Sequence, residues 1–194
     1  MTTVRIAPAL LAALLLSIVV LATNVAASCC VGDCGEATTD KPKTFEKDGA
    51  SFEYPGDWKK GNLDSYEAAD NELWHQAFAK KDGSIDIIVV AASQLTREID
   101  FEADYEALAA EARGGLEDQG AQIDGDAVVV QAGALDAILF TGIVEGEDDE
   151  ELGHRWYYAI DGDISYFINC QWTEKSVDDV NAACDLLVDS FRVD

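Results

Sequence analysis

The stretch from Ile164 to Phe191 limits the possible folds of this chain more than any other. In an extended strand Ile164, Tyr166, Ile168, Cys170 and Trp172 share one face, because successive side chains alternate. After Ser176 the period changes. Val177, Val180, Cys184, Leu187 and Phe191 recur at spacings of three and four, the apolar stripe of a helix. That stripe needs an apolar surface to cover, and the strand face supplies one. Cys184 sits mid-stripe, so it can meet Cys170 across the helix–sheet contact. Ser176 with Asp179 three residues on reads as the helix cap, a capping box with the shorter acid.

Whether those thiols pair depends on the compartment, and the N-terminus speaks to that. Arg5 precedes the apolar run from Ile6 to Ala22, and small residues follow up to Cys29: an export signal. The segment Ala9 to Ala22 holds Ser17 and no charge, and is shorter than the roughly 20 residues a spanning helix needs. Two cleavages are open. Val25 and Ala27 suit ordinary signal peptidase, which would release Ser28. Alternatively, Ala26-Ala27-Ser28-Cys29 resembles a bacterial lipoprotein box, with Ala26 in the usual leucine place and Cys29 as the lipidated first residue. Cys30 could stand in for Cys29. The lipid-anchored reading is preferred: the protein is then extracytoplasmic, in the cell envelope, and is otherwise secreted.

Lipidating Cys29 leaves Cys30, Cys34, Cys170 and Cys184, an even set suited to an oxidising compartment. The expected disulfides are Cys30–Cys34 and Cys170–Cys184. The second closes a loop worth on the order of 3 kcal/mol in the chain-entropy view. The alternative is that Cys170 and Cys184 are small buried hydrophobes. The Cys29-Cys30-x-x-x-Cys34 spacing is not that of a zinc site.

Charge narrows the partners. Lys and Arg number 13 against 38 acids, a formal net charge of −25. Nucleic acid, which needs a basic footprint, is excluded as a partner. Anionic lipid would repel the domain body, so any membrane contact runs through the N-terminal lipid. The expected partner is an envelope protein or a small ligand. The acids are spread along the chain, as on a solvated surface.

The organisation follows: 1–28 signal peptide, 29–43 flexible tether rich in Gly, Thr and charge, 44–194 folded domain. Thr44 to Tyr54 reads as a hairpin about Asp48-Gly49, ended by Pro55. Glu72 to Lys80 and Ile85 to Ala91 flank Lys81-Asp82-Gly83-Ser84, a second hairpin signal. The run Ile87 to Val90 is a strand covered on both faces. Asp100 to Gln119 is a helix with Phe101, Tyr105, Leu108, Ala109, Ala112 and Leu116 on one stripe, weakened near Gly114-Gly115. Strands follow at Ala127–Gln131, Ala134–Val144, Leu152–Ile160 and Ile164–Trp172. The class is α+β, one antiparallel sheet with helices packed on it.

Phe52-x-Tyr54-Pro55-x-x-Trp58 after a first hairpin, a long central helix, and a terminal helix closing with Asp189-Ser190-Phe191 resemble the PsbP-like superfamily over about 44–193. The resemblance implies an α-β-α sandwich, a noncatalytic binding or accessory role and frequent membrane tethering, as in bacterial envelope lipoproteins of that fold. It assigns Phe52, Tyr54, Pro55 and Trp58 to turn and core, and no ligand residues.

Chemistry-bearing residues are sparse. His75 and His154 both fall in strands, outside any nucleophile motif, so a secreted hydrolase using one of them is the least favoured alternative. There is no phosphate loop, dinucleotide fingerprint or His/Cys cluster. No catalytic residue, metal ligand or cofactor is assigned, and the chain is read as a non-enzyme. Asp124-Gly125-Asp126, Asp161-Gly162-Asp163 and the 145–151 acids offer hard oxygens for calcium, an alternative outside the EF-hand pattern. Trp74, Trp156, Tyr157, Tyr158 and Trp172 fill the core or, on an uncovered face, form a binding patch.

Overall fold

A computed structural model of the chain describes residues 41–61, 69–81, 83–146 and 150–194. The leader, Cys29, and the expected Cys30–Cys34 pair lie outside the described residues.

The first hairpin forms as its turn sequence requires. β1 (Lys43–Lys47) and β2 (Ala50–Tyr54) run antiparallel with Lys47 opposite Ala50, leaving Asp48-Gly49 as the turn. Both turn residues have positive φ, 47° and 84°, the mirror-image turn whose twist matches the flanking strands. β1 starts one residue inside the stretch assigned to the tether. Pro55 then closes a tight turn by accepting from the Trp58 N–H at 3.0 Å. Phe52, Tyr54 and Trp58 are buried.

Next come β3 (Lys59–Gly61), β4 (Glu72–Ala79), β5 (Ile87–Gln94), α1 (Phe101–Asp118), β6 (Ala121–Ile123), β7 (Val128–Ala132), β8 (Leu135–Glu145), β9 (Glu151–Asp161), β10 (Ile164–Trp172), α2 (Val177–Ser190) and β11 (Arg192–Val193). Eight strands form one antiparallel sheet in the order β3-β4-β5-β10-β9-β8-β6, with β7 also against β8. β5 lies between β4 and β10, which explains its continuous apolar run.

The single sheet expected from the sequence is two sheets. β11 pairs with β2, so β1-β2-β11 form a small sheet of their own. β3, β6 and β11 span two or three residues each, too few to show a period.

Each face of the main sheet has its own helix. On one side, Val180, Cys184, Leu187 and Phe191 pack on Ile88, Val90, Tyr166, Ile168 and Cys170, and the small sheet adds Phe45 and Phe52. Cys170 and Cys184 are joined there by a disulfide, with Cα atoms 6.1 Å apart. On the other side Leu108, Ala112 and Leu116 of α1 pack on Ile138, Phe140, Trp156, Tyr158 and Phe167. The architecture is α+β, a sandwich of α2, sheet and α1. Asp100 caps α1 by accepting from the Ala103 N–H at 3.2 Å. The helix continues through Gly114-Gly115 to Asp118, held by Leu116 against the sheet.

The capping box expected at α2 is absent. Ser176 makes no side-chain cap bond. Its hydroxyl donates to the Asp86 carboxylate, one residue before β5, and accepts from the Thr173 N–H at 3.2 Å. A charged acceptor outcompetes a helix N–H for that hydroxyl. Asp179 pairs with Lys80 at 3.0 Å instead.

Candidate functional site

The polar chemistry of the core collects on the α1 face of the main sheet. There the register sets cross-strand rows. Glu72, Ser93, Ser165 and Ile160 form the first, and His75, Ala91, Phe167 and Tyr158 the second. Ala77, Val89, Asn169 and Trp156 follow, then Ala79, Ile87, Gln171 and His154. Alanines and Val89 make a small-residue floor on β4 and β5, and polar groups stand at both ends of it.

His154, Asn169 and Gln171 are the unusual members, all buried. His154 Nδ1 lies 2.9 Å from Asn169 Oδ1, and the ring stacks on Trp156 at 4.7 Å and 11°. An amide oxygen accepts, so Nδ1 carries the ring proton and Nε2 presents a lone pair. Burial pulls the pKa of His154 from 6.5 down to about 4, only partly opposed by the Asn169 hydrogen bond. The ring is therefore neutral at pH 7. Gln171 Nε2 donates to the Ile85 carbonyl at 2.7 Å. Among the described residues three polar atoms here have no partner: His154 Nε2, Asn169 Nδ2 and Gln171 Oε1. Each buried polar atom left unpaired costs about 1–3 kcal/mol. An acceptor, a donor and a second acceptor thus share one face of adjacent strands. Together they can hydrogen-bond an uncharged polar group.

The other histidine has different company. His75 Nδ1 meets Glu72 Oε1 at 2.7 Å, and the Glu72 side chain is only 3% exposed. Ser165 is remote from His154: six residues along β10 separate it from Gln171, which faces that histidine, a distance of roughly 20 Å.

The remaining sequence candidates fall elsewhere. Trp74, Trp156, Tyr157 and Tyr158 are buried and Trp172 is half-buried, so these aromatics fill the core and are no exposed patch. Gly125 and Gly162, at φ 70° and 59°, place two Asp-Gly-Asp sites in turns. Among the described residues no three His, Cys, Asp or Glu side chains converge as metal ligands. The 145–151 acids fall partly outside those residues. Asn169 and Gln171 were missed at the sequence level. Their signal was polar side chains alternating with Ile168, Cys170 and Trp172 on an otherwise apolar strand.

No family model and no curated protein matches the chain. Solved structures do. LpqN, involved in cell envelope biogenesis of Mycobacterium tuberculosis, aligns at a TM-score of 0.58 and 14% identity, over 79% of this chain and 89% of its own. Cyanobacterial PsbP (CyanoP) from Synechocystis sp. PCC 6803 aligns at 0.51 and 16%, over 84% of this chain and 99% of its own. The fold is PsbP-like. A Bacteroides thetaiotaomicron VPI-5482 structure aligns at 0.49 and 14% over 78% of this chain, which spans 48% of that protein's length. Within this PsbP-like fold, the unpaired polar atoms sit on the sheet face that carries the long helix α1. Among the described residues no helix is long and apolar enough to cross a membrane.

Proposed function

We propose that this chain is an exported, lipid-anchored, noncatalytic binding protein of the bacterial cell envelope, and that its PsbP-like domain takes an uncharged, hydrogen-bonding ligand on the α1 face. The observation that carries the reading is the trio of unpaired buried atoms on His154, Asn169 and Gln171. A ligand supplying a donor to His154 Nε2, an acceptor to Asn169 Nδ2 and a donor to Gln171 Oε1 removes their desolvation cost. A neutral histidine with its pKa near 4 and an amide neighbour is suited to recognition and is a weak general base at neutral pH.

The setting has separate support. The leader with its lipoprotein-like Cys29 motivates export and anchoring, and the Cys170–Cys184 disulfide suits an oxidising compartment. The likeness to LpqN adds an envelope protein of the same fold.

Native protein purified from its source membranes tests both parts. Intact mass should show acyl chains on an N-terminal Cys29. Denaturation should release a neutral small molecule, identified by mass spectrometry, that is lost from an Asn169→Leu, Gln171→Leu variant with an unchanged N-terminus. An unmodified chain found reduced in the cytosol overturns the setting. An empty wild-type protein, or a ligand retained by the variant, overturns the site.

A further inference from the structure

The two ends of the main sheet are built differently. At one end β3 is three residues long and carries Lys59 and Lys60, the short, charged kind of edge that resists pairing with another chain. At the other end β7 presents Val128-Val129-Val130-Gln131 with no charge, proline or bulge, in unbroken register from Val128–Leu139 to Ala132–Leu135. Among the described residues no second strand pairs with β7. Two of its valines are open, Val128 at 54% and Val129 at 50% exposed, while Val130 packs on the core; the other exposed large hydrophobic residue described is Leu73.

Beside this edge lies a cleft of about 370 Å3, lined by Val129, Asp136 and the first turns of α1 through Phe101, Glu102 and Tyr105. Tyr105 Oη donates to the Ala127 carbonyl at 3.1 Å, which fixes α1 against the head of the strand. The surroundings are acidic. Glu102 and Asp136 line the cleft, Asp124 and Asp126 precede β7 in the sequence, and Arg97, before α1, is paired with Asp104 at 2.7 Å.

We propose that the free edge of β7 and the cleft beside it dock an extended, basic segment of a partner protein as an added strand. Backbone hydrogen bonds along β7 supply the pairing, as in other strand-addition complexes. An apolar side chain of the added strand lies over Phe101, Tyr105 and Val129, and flanking Lys or Arg side chains meet Glu102 and Asp136. A second copy of this chain is the poorer occupant: each copy carries −25, and edge-to-edge pairing would bring acid onto acid. This docking edge is independent of the buried polar trio.

The test uses the full chain in mild nonionic detergent and a short capped peptide alternating lysine and valine. Amide NMR shifts should move at Val128 to Gln131, with affinity falling as salt rises. Val129→Glu, at an exposed position, should weaken binding tenfold or more at an unchanged melting midpoint. Glu102→Gln gives a second, milder loss. A glutamate–valine peptide, and a lysine–valine peptide with alternate amides N-methylated, should both fail to bind. Unmoved β7 amides, equal binding by either control peptide, or dimerisation through β7 in place of peptide binding would each overturn the proposal.

Discussion

His154 on β9 and Asn169 on β10 meet diagonally across the two strands, ring Nδ1 to amide Oδ1 at 2.9 Å, in a place whose burial favours the neutral ring. The unfolded histidine titrates near 6.5 and the folded one near 4. Between those values the unfolded chain holds a proton that the folded chain refuses. The stability contribution is therefore complete above about 6.5 and is lost as the pH falls toward 4, by at most about 3 kcal/mol. Denaturant unfolding should show His154→Gln losing less stability than wild type over that fall. Identical losses in the two proteins would show that the ring is not held neutral.

The Cys170–Cys184 bond ties the middle of α2 to β10 within a solidly buried cluster. Reduction, or the double variant Cys170→Ala, Cys184→Ala, should lower unfolding stability by about 3 kcal/mol with the fold retained. Melting with and without reductant measures it. A reductant-insensitive midpoint in the wild type would mean that the two sulfurs are free thiols.

Gly133 begins the turn from β7 to β8 at φ 58°, and a methyl there would fall 1.6 Å from the Phe191 carbonyl oxygen. Its N–H also donates to the Val188 carbonyl at 2.8 Å. Gly133→Ala should cost roughly 3 kcal/mol, since backbone must move on both sides. Gly83, with nothing near its Cβ position, is the control with comparable φ. If the two alanine variants melt alike, the turn is not seated against the end of α2.

Asp86 accepts from both the Thr173 N–H, at 2.7 Å, and the Ser176 hydroxyl. Asp86→Ala leaves both donors without that acceptor and should destabilise by about 1–3 kcal/mol. Ser176→Ala in the Asp86→Ala background should then cost little more, because the two groups act through one contact. Additive losses in the unfolding midpoints would return Ser176 to a helix-capping role.

What could be read from the sequence was local and long. The alternation in β10 and the stripe of α2 each run over many residues, so their faces, and the meeting of Cys170 with Cys184, followed from period alone. The misreading of Ser176 has the opposite cause. Its competitor Asp86 lies ninety residues away, and no local rule contains it. The second sheet escaped because β11 offers only Arg192 and Val193. The alternation also placed Asn169 and Gln171 on the face opposite Cys170. That the face is buried, and that His154 from another strand stands among them, depends on the order of strands in the sheet.

The small sheet has a mechanical consequence. Among the described residues β1 pairs as a strand with β2 alone, Lys43 opposite Tyr54 at the end away from the turn, while Phe45 is buried against Phe52, Trp74 and Phe78. A pull applied at Lys43 therefore works on the hairpin one rung at a time and does not shear all rungs together, with the buried Phe45 ring as the point of greatest resistance. β2 stays behind, braced by β11. The hairpin is thus a fuse: under such a load β1 yields first and the sulfur-bridged body stays intact.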